Sequence, residues 1–377
     1  MRNAEHRRAS EISGTKIRIV AHLDMDAFFA SLEEAGSEIF MGKPIVVGAD
    51  PKNGNGRGVV STANYKAREY GIHSAMPISR AWQLSEKAKA EGKPEAVFVQ
   101  PDFERYKKAS KEVFEIIKKY ASEIEPASID EFYFDLSFTK SFKKAEEICK
   151  KIKKEIKEKL KVTCSVGIGS NKLISKISAG MKKPDGLVII KDSPPAGGSE
   201  KFLEPLSIRK IPGIGPKTGE KFNALGIETI KDLKKLSKEK LQELFGKWGT
   251  DIYFKARGID DSPIVENREA KSIGEQATFQ RDTLNFIYIG EVFENLCAGV
   301  FKRFTQSGFK SFRTVGITVR FSDFQTYTAA KTLKNPTDKE KDFKLETIKL
   351  LLPYLDKRKN PNKKLIRLIG VKIEKLK

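Results

Sequence analysis

Residues 124–136, IEPASIDEFYFDL, decide how this chain folds. Two strand-like runs, 124–128 and 132–136, flank the adjacent acids Asp130 and Glu131. Apolar and aromatic residues crowd the pair, and carboxylates in such company are rarely buried unless their charge is compensated. A hard divalent cation is a natural compensator, since Mg²⁺ takes one or two carboxylates plus substrate phosphates. Far upstream, the run KIRIVAHLDMD at 16–26 ends in a second acidic signal. Period-two alternation there puts Asp24 and Asp26 on one face and Leu23 on the other. The expectation is that Asp24 meets Asp130 and Glu131 in space and that the three hold metal for chemistry on phosphate. The alternative is a solvated turn at Asp130–Glu131 and a helix-capping Asp24.

The 377 residues suffice for two to four domains, taking roughly 100–200 residues each. No apolar run approaches the roughly 18 residues of a membrane helix. The first sixteen residues are polar and lack an apolar core, so no secretory signal is expected. Lys and Arg outnumber Asp and Glu by 71 to 50, a net charge of +21, which favours a polyanionic partner, nucleic acid before membrane. Three dispersed cysteines and three histidines offer no zinc spacing, no disulfide framework and no nucleophile–histidine pair, and fit a reducing, cytoplasmic setting.

Along the chain, residues 1–15 read as a flexible tail. A strand over 16–26 runs into a helix start, AFFASLEE, carrying Phe28 and Phe29. GVVSTANYKAREYG passes from a strand into a short helix with Tyr65 and Arg68 on one face, where an Arg can clamp phosphate near a helix N-terminus. AVFVQ reads as a strand and residues 102–123 as a helix with a core-facing stripe. After the acidic hairpin come a lysine-rich helix over 142–160 and the strand VTCSVGIG. GSNKLISKISAGMKKPDG then sets Lys172 at the mouth of a helix, with Lys176 one turn on; a lysine there is a plausible triphosphate contact. The order strand, insertion, strand, helix, hairpin, helix, strand predicts one antiparallel-rich α+β domain interrupted by residues 27–95.

From residue 185 the texture becomes helical. PGIGPKTGEKF, with Gly213, Gly215 and Lys217, has the helix-hairpin-helix pattern, whose glycines let backbone N–H groups approach a phosphate without reading bases. Residues 259–270, acidic and without periodicity, read as an interdomain linker. Residues 271–377 follow a βαββαβ order and carry 22 basic against 11 acidic residues, a net +11, on what should be an open sheet suited to DNA backbones.

Five segments in this order, HLDMDAFFASLEE, GVVSTANYKAREYGIHSAMP, EPASIDEFYFDL, GIGSNKLISKISAGMKKPDG and IPGIGPKTGEKF, resemble the Y-family translesion DNA polymerases, most closely the DinB type. The resemblance spans about residues 16–377. It implies a multidomain α+β right hand: a ferredoxin-like palm (16–27 and 96–184), small fingers (28–95), a helix-hairpin-helix thumb (185–258) and a βαββαβ little finger (271–377). It implies template-directed addition of dNTPs to a primer on primer-template DNA, by a monomer using two Mg²⁺ ions. Asp24, Asp130 and Glu131 would be the catalytic, metal-binding carboxylates, with Met25 lending its backbone carbonyl; Asp26 is not a principal ligand in the family pattern. Phe29 would be the steric gate against a 2′-hydroxyl, and Phe28, Thr62, Tyr65, Arg68 and Lys172 the other nucleotide contacts. With no second acidic cluster, no proofreading exonuclease is expected. The sequence ends IEKLK, without a hydrophobic-aromatic tail, so a sliding clamp would be met, if at all, through an internal surface. The rival readings are a restricted nucleotidyltransferase and a non-catalytic DNA-binding protein.

Overall fold

The computed structural model describes residues 18–191 and 198–377; the expected N-terminal tail lies outside them. The chain divides into two compact units, residues 1–267 and 268–377.

At the centre of the first unit is a five-stranded sheet in the order Ile124–Pro126, Glu131–Asp135, Val20–Met25, Cys164–Gly169, Leu187–Ile189. The pairs are antiparallel except the last. Alternation along the central strand sends Ala21, Leu23 and Met25 into a core shared with the helices Phe103–Lys118 and Phe142–Leu160. Their stripes, Tyr106, Ala109, Val113 and Ile117 on one and Ala145, Cys149, Ile152 and Ile156 on the other, follow the three-to-four spacing read from sequence. The opposite face carries His22 and Asp24 and is covered by the short helix Lys172–Ala179. That helix lies very close to the sheet. A Cβ on Gly167 would stand 2.0 Å from the Ser175 carbonyl oxygen, so glycine is required beneath it.

Two domain boundaries differ from the sequence reading. The strand Val97–Val99 pairs in parallel with Ile45–Gly48, in a three-stranded fingers sheet completed by Val60–Ala63, and does not belong to the palm. Leu187–Ile189, expected to open the thumb, pairs with Cys164–Gly169 and completes the palm sheet. Both are three-residue strands without a periodicity of their own, so only the partner decides where they belong.

The thumb is helical, built around Leu203, Ile208, Ile211, Phe222, Leu233 and Ile252. The segment 259–270, expected as a linker, holds the boundary between the two units. Its start, with the preceding Gly258, is strapped onto the palm by groups from two segments, Arg18 and the helix start at Asn171 and Leu173. Asn171 Nδ2 donates to the Gly258 carbonyl (2.8 Å), Leu173 N donates to Asp260 Oδ2 (3.0 Å), and Arg18 donates to the carbonyls of Asp260 (3.2 Å) and Ser262 (2.5 Å).

The second unit is a four-stranded antiparallel sheet in the order Thr326–Thr337, Phe312–Phe321, Ile366–Glu374, Ser272–Thr283, and the helices Phe286–Gln306 and Glu340–Leu355 cover one face. Val315, Ile317, Val319 and Phe321 point into that core. Thr314, Gly316, Thr318 and Arg320, of opposite parity, face away from it beside Thr332, Ala330, Thr328 and Thr326. No helix among the described residues is long and apolar enough to cross a membrane.

Candidate active site

The antiparallel register sets the two acidic signals side by side. Asp24 pairs directly with Glu131, and the amide of Met25 donates to the carbonyl of Asp130 at 3.0 Å. Directly paired residues share a face, so Asp24, Glu131, His22 and Tyr133 lie together beneath the helix Lys172–Ala179. Met25 has its side chain in the core, 2% exposed, which leaves only its backbone for the surface. Asp130 stands at the rim and accepts from the Ser128 hydroxyl at 2.5 Å.

Cations from the covering segment answer the carboxylates. Lys176 Nζ contacts both oxygens of Glu131 at 2.7 and 2.6 Å, and Lys183 Nζ lies 2.5 Å from Asp24 Oδ1. Among the described residues, no three acidic, histidine or cysteine side chains converge tightly enough to close a metal cage. The donor set nevertheless suits a hard cation: three carboxylates on two neighbouring strands and a turn, with room in the coordination sphere for phosphate oxygens. His22 is buried, its Nε2 is 3.7 Å from Glu131 Oε2, and neither ring nitrogen has a hydrogen-bond partner among the described residues. Burial holds its pKa down, against the pull of Glu131. The adjoining His22 ring and the Lys176 ammonium hold the Glu131 carboxyl down to about 2. Burial pushes Asp24 the other way, above the usual carboxylate range, although Lys183 opposes the shift.

Asp26 has a different role. It is 1% exposed and accepts from Thr163 Oγ1, Ser165 Oγ and the Asp185 amide, each at 2.8 Å, so its oxygens are committed to holding the strand ends together.

The fingers contribute Tyr65. Its hydroxyl is buried without a hydrogen-bond partner among the described residues, and burial followed by the Asp26 charge pushes its pKa up to about 12. The Arg68 guanidinium lies 4.7 Å over the Tyr65 ring, and its Nε donates to the Ala63 carbonyl at 2.9 Å. The helix expected here is only Tyr65–Arg68, capped by the Asn64 side chain. Thr62 lies half-buried on the strand leading into it. Phe29 is half-buried and stacks on Tyr106, ring centroids 4.3 Å apart and planes within 10°. Tyr106 is fixed in turn by its hydroxyl donating to Glu33 at 2.6 Å. Phe28, by contrast, is 2% exposed within the core and offers no ring surface to a nucleotide.

Lys172, expected as a nucleotide contact, is engaged by several groups here. Its ammonium makes a buried ion pair with Glu125 at 2.6 Å, lies 4.7 Å over the Tyr133 ring, and approaches the Pro263 carbonyl of the strap at 3.4 Å. The same Glu125 oxygen accepts from the Val265 amide at 2.9 Å. Lys172 therefore fastens the strap to the palm from above the Tyr133 ring, on the sheet face that also carries Asp24 and Glu131. Lys183, which sequence reasoning missed, reaches the cleft. The tandem lysines before Pro184 were visible in the sequence, but their direction was not.

In the thumb, Ile211 and Ile214 anchor the glycine turn from below while Gly213, Gly215 and Lys217 stay exposed. Gly213 has φ +101°, and Gly215 caps the helix Pro216–Asn223.

Comparisons with known proteins agree over most of the chain. Residues 23–180 match the impB/mucB/samB family, residues 270–377 the impB/mucB/samB family C-terminal domain, and residues 209–260 the DNA polymerase-iota thumb domain. A DNA polymerase IV of Methanoculleus marisnigri is 39% identical over 96% of this chain and 95% of its own length. One of Streptococcus mutans is 40% identical over 95% and 92%. Among solved structures, the polymerase chimera Dbh-Dpo4(243-245)-Dbh superposes with a TM-score of 0.81 at 29% identity, covering 95% of this chain and 99% of the other. DinB from Sulfolobus solfataricus gives 0.61 at 29% identity, covering 94% and 98%.

Proposed function

Because this chain belongs to the Y-family DNA polymerases, the impB/mucB/samB family, we infer that it is a DNA-directed DNA polymerase of the translesion type. It extends a primer on a DNA template with dNTPs and has no proofreading exonuclease. The observation that carries the reading is the register that pairs Asp24 with Glu131 and ties Met25 to Asp130.

The family uses divalent metal, and the residues here fit it. Asp24, Asp130, Glu131 and the Met25 carbonyl would hold two Mg²⁺ ions, which when bound make the primer 3′-hydroxyl a better nucleophile and neutralise charge on the leaving pyrophosphate. The protein's own part is electrostatic and steric. Lys183 and Lys176, already drawn to the carboxylates, are placed to turn to the triphosphate, and Lys172, on the same helix as Lys176, is the third lysine assigned to it once released from Glu125. The Tyr65 hydroxyl stays protonated throughout the working pH range and so can donate to a phosphate oxygen. Arg68 supplies a second cation from the fingers. Phe29, held flat against Tyr106, would exclude a 2′-hydroxyl.

Backbone contacts to DNA are assigned to the exposed turn at Gly213, Gly215 and Lys217 and to the hydroxyl- and glycine-rich face around Thr318 and Arg320. The reading is tested by running-start extension on undamaged and lesion-bearing templates with Mg²⁺ and each dNTP. Wild type should extend and Asp130→Ala should not. Insertion of dCMP opposite every template base would replace the reading with a restricted transferase, and an unextended primer would leave only DNA binding.

A further inference from the structure

The hairpin joining Phe312–Phe321 to Thr326–Thr337 carries Phe324 at its tip. Phe324 has φ +64°, the left-handed backbone that bulky residues avoid and that Gly or Asn would adopt at lower cost. No core burial offsets that strain, because the residue is 62% exposed. A strained, solvent-facing aromatic is unfavourable for folding alone, and strain of this kind points towards a use. The ring is also held. The Arg367 guanidinium lies 4.5 Å from its centroid, and Arg367 sits 3.8 Å from Asp282 Oδ1 with its own side chain mostly buried. One side of the ring therefore rests on a fixed cation while its exposed surface faces solvent.

The ground around the ring is basic. The loop 357–364, KRKNPNKK, holds five cations and no acid. It is built around Asn360, 4% exposed, whose side chain accepts from the Lys364 amide (2.7 Å) and donates to the Lys364 carbonyl (2.8 Å). The loop is tied to the hairpin tip, since Lys364 Nζ reaches Asp323 Oδ2 at 2.6 Å and Ser322 N donates to the Leu365 carbonyl at 2.9 Å. Lys357 and Lys363 remain exposed, with no acidic partner among the described residues.

We propose that this tip is a binding site for unpaired nucleotides of single-stranded DNA, with the Phe324 ring stacking on one base and Lys357 and Lys363 meeting neighbouring phosphates. Unpaired bases are specified because a duplex hides its base faces and offers phosphates that need no aromatic partner, whereas a ring among cations suits a single strand. The choice of DNA rests on the polymerase reading; the geometry of the tip does not.

The test is fluorescence anisotropy with the full chain, comparing labelled oligo(dT) with an abasic oligonucleotide of equal length. Wild type should favour oligo(dT) by roughly fivefold or more, the size of a single base–aromatic stack. Phe324→Ala should abolish that preference while abasic binding persists. Phe324→Trp should restore it and show fluorescence quenching on stacking. An oligonucleotide carrying 5-iodouracil should photo-crosslink to the peptide containing Phe324, which reads position directly even if the alanine variant folds poorly. Equal wild-type affinity for the two oligonucleotides, an unchanged preference in a folded Phe324→Ala chain, or crosslinks that all fall outside the tip would each overturn the proposal. Primer extension by wild type is run separately, so a failure of the polymerase reading appears there and leaves the base-preference measurement interpretable.

Discussion

The ammonium of Lys183 lies 2.5 Å from Asp24 Oδ1, and Lys176 answers Glu131 in the same way on the next strand. Two half-buried acids, set side by side by strand register, are thus compensated from one covering segment, and a divalent cation entering the cleft competes with those ammoniums.

Lys183→Ala should bind Mn²⁺ more tightly than wild type when DNA and nucleotide are absent, because the competing charge is gone. It should also need more dNTP for half-maximal extension, by about 10- to 100-fold, the worth of one charge-assisted hydrogen bond. Titration by electron paramagnetic resonance reads the first effect and single-nucleotide kinetics the second. Weaker Mn²⁺ binding by the variant would assign Lys183 a different role.

Asp24 and Glu131 should carry opposite pH signatures in the metal-free chain. Burial raises the Asp24 pKa, so its folded-state advantage is complete below the unfolded value of 3.8 and is lost as pH rises through the folded pKa. Asp24→Asn should therefore raise Tm at neutral pH, with the gain fading in acid, and should abolish extension by several orders of magnitude. Glu131, held at about 2 against an ordinary 4.5, contributes stability above 4.5 that is lost as pH falls towards 2. Glu131→Gln should lower stability at neutral pH by on the order of 1–3 kcal/mol. Thermal melts in a chelator across that range check both signs.

Lys172→Met tests both roles given to this lysine, fastening the strap and, once released, meeting the nucleotide. It removes the Lys172 half of a buried ion pair from Glu125, which keeps the Val265 amide, a loss of about 3–5 kcal/mol. Denaturant unfolding should show that loss, hydrogen exchange at Val265 should quicken, and the dNTP requirement of the folded enzyme should rise. An unchanged requirement in the folded variant would leave Lys172 to the strap alone.

Phe29→Ala should admit ribonucleotides while dNTP use persists. It should also cost about 1–3 kcal/mol, because the ring stacked on Tyr106 is lost from a half-buried position. Unchanged sugar discrimination in competition assays would remove Phe29 from the gate.

Much of this architecture is legible along the chain. Alternation put Leu23 inward and Asp24 outward, helical stripes marked Tyr106–Val113 and Ala145–Ile156, and the βαββαβ order of the basic module followed from its periodicities. These are local signals, because a side chain's face is fixed by the backbone period of its own element. Chemistry that needs only residue types in order, the two acidic signals and the glycine turn, was therefore readable as well.

What depended on distant partners was not. Val97–Val99 and Leu187–Ile189 are too short to show which sheet they join, and the hydrogen bonds that assign them come from strands elsewhere in the chain. Lys172 and Lys176 stand one turn apart on one helix, yet a buried Glu125 and the returning strap hold the first while Glu131 takes the second. A lysine stem is long and flexible, so the charges that surround it after folding decide its direction. Sequence alone determined which elements form and which faces they bury; tertiary structure decided which of several equivalent cations reaches the acids, because Coulombic partners are chosen by proximity in space.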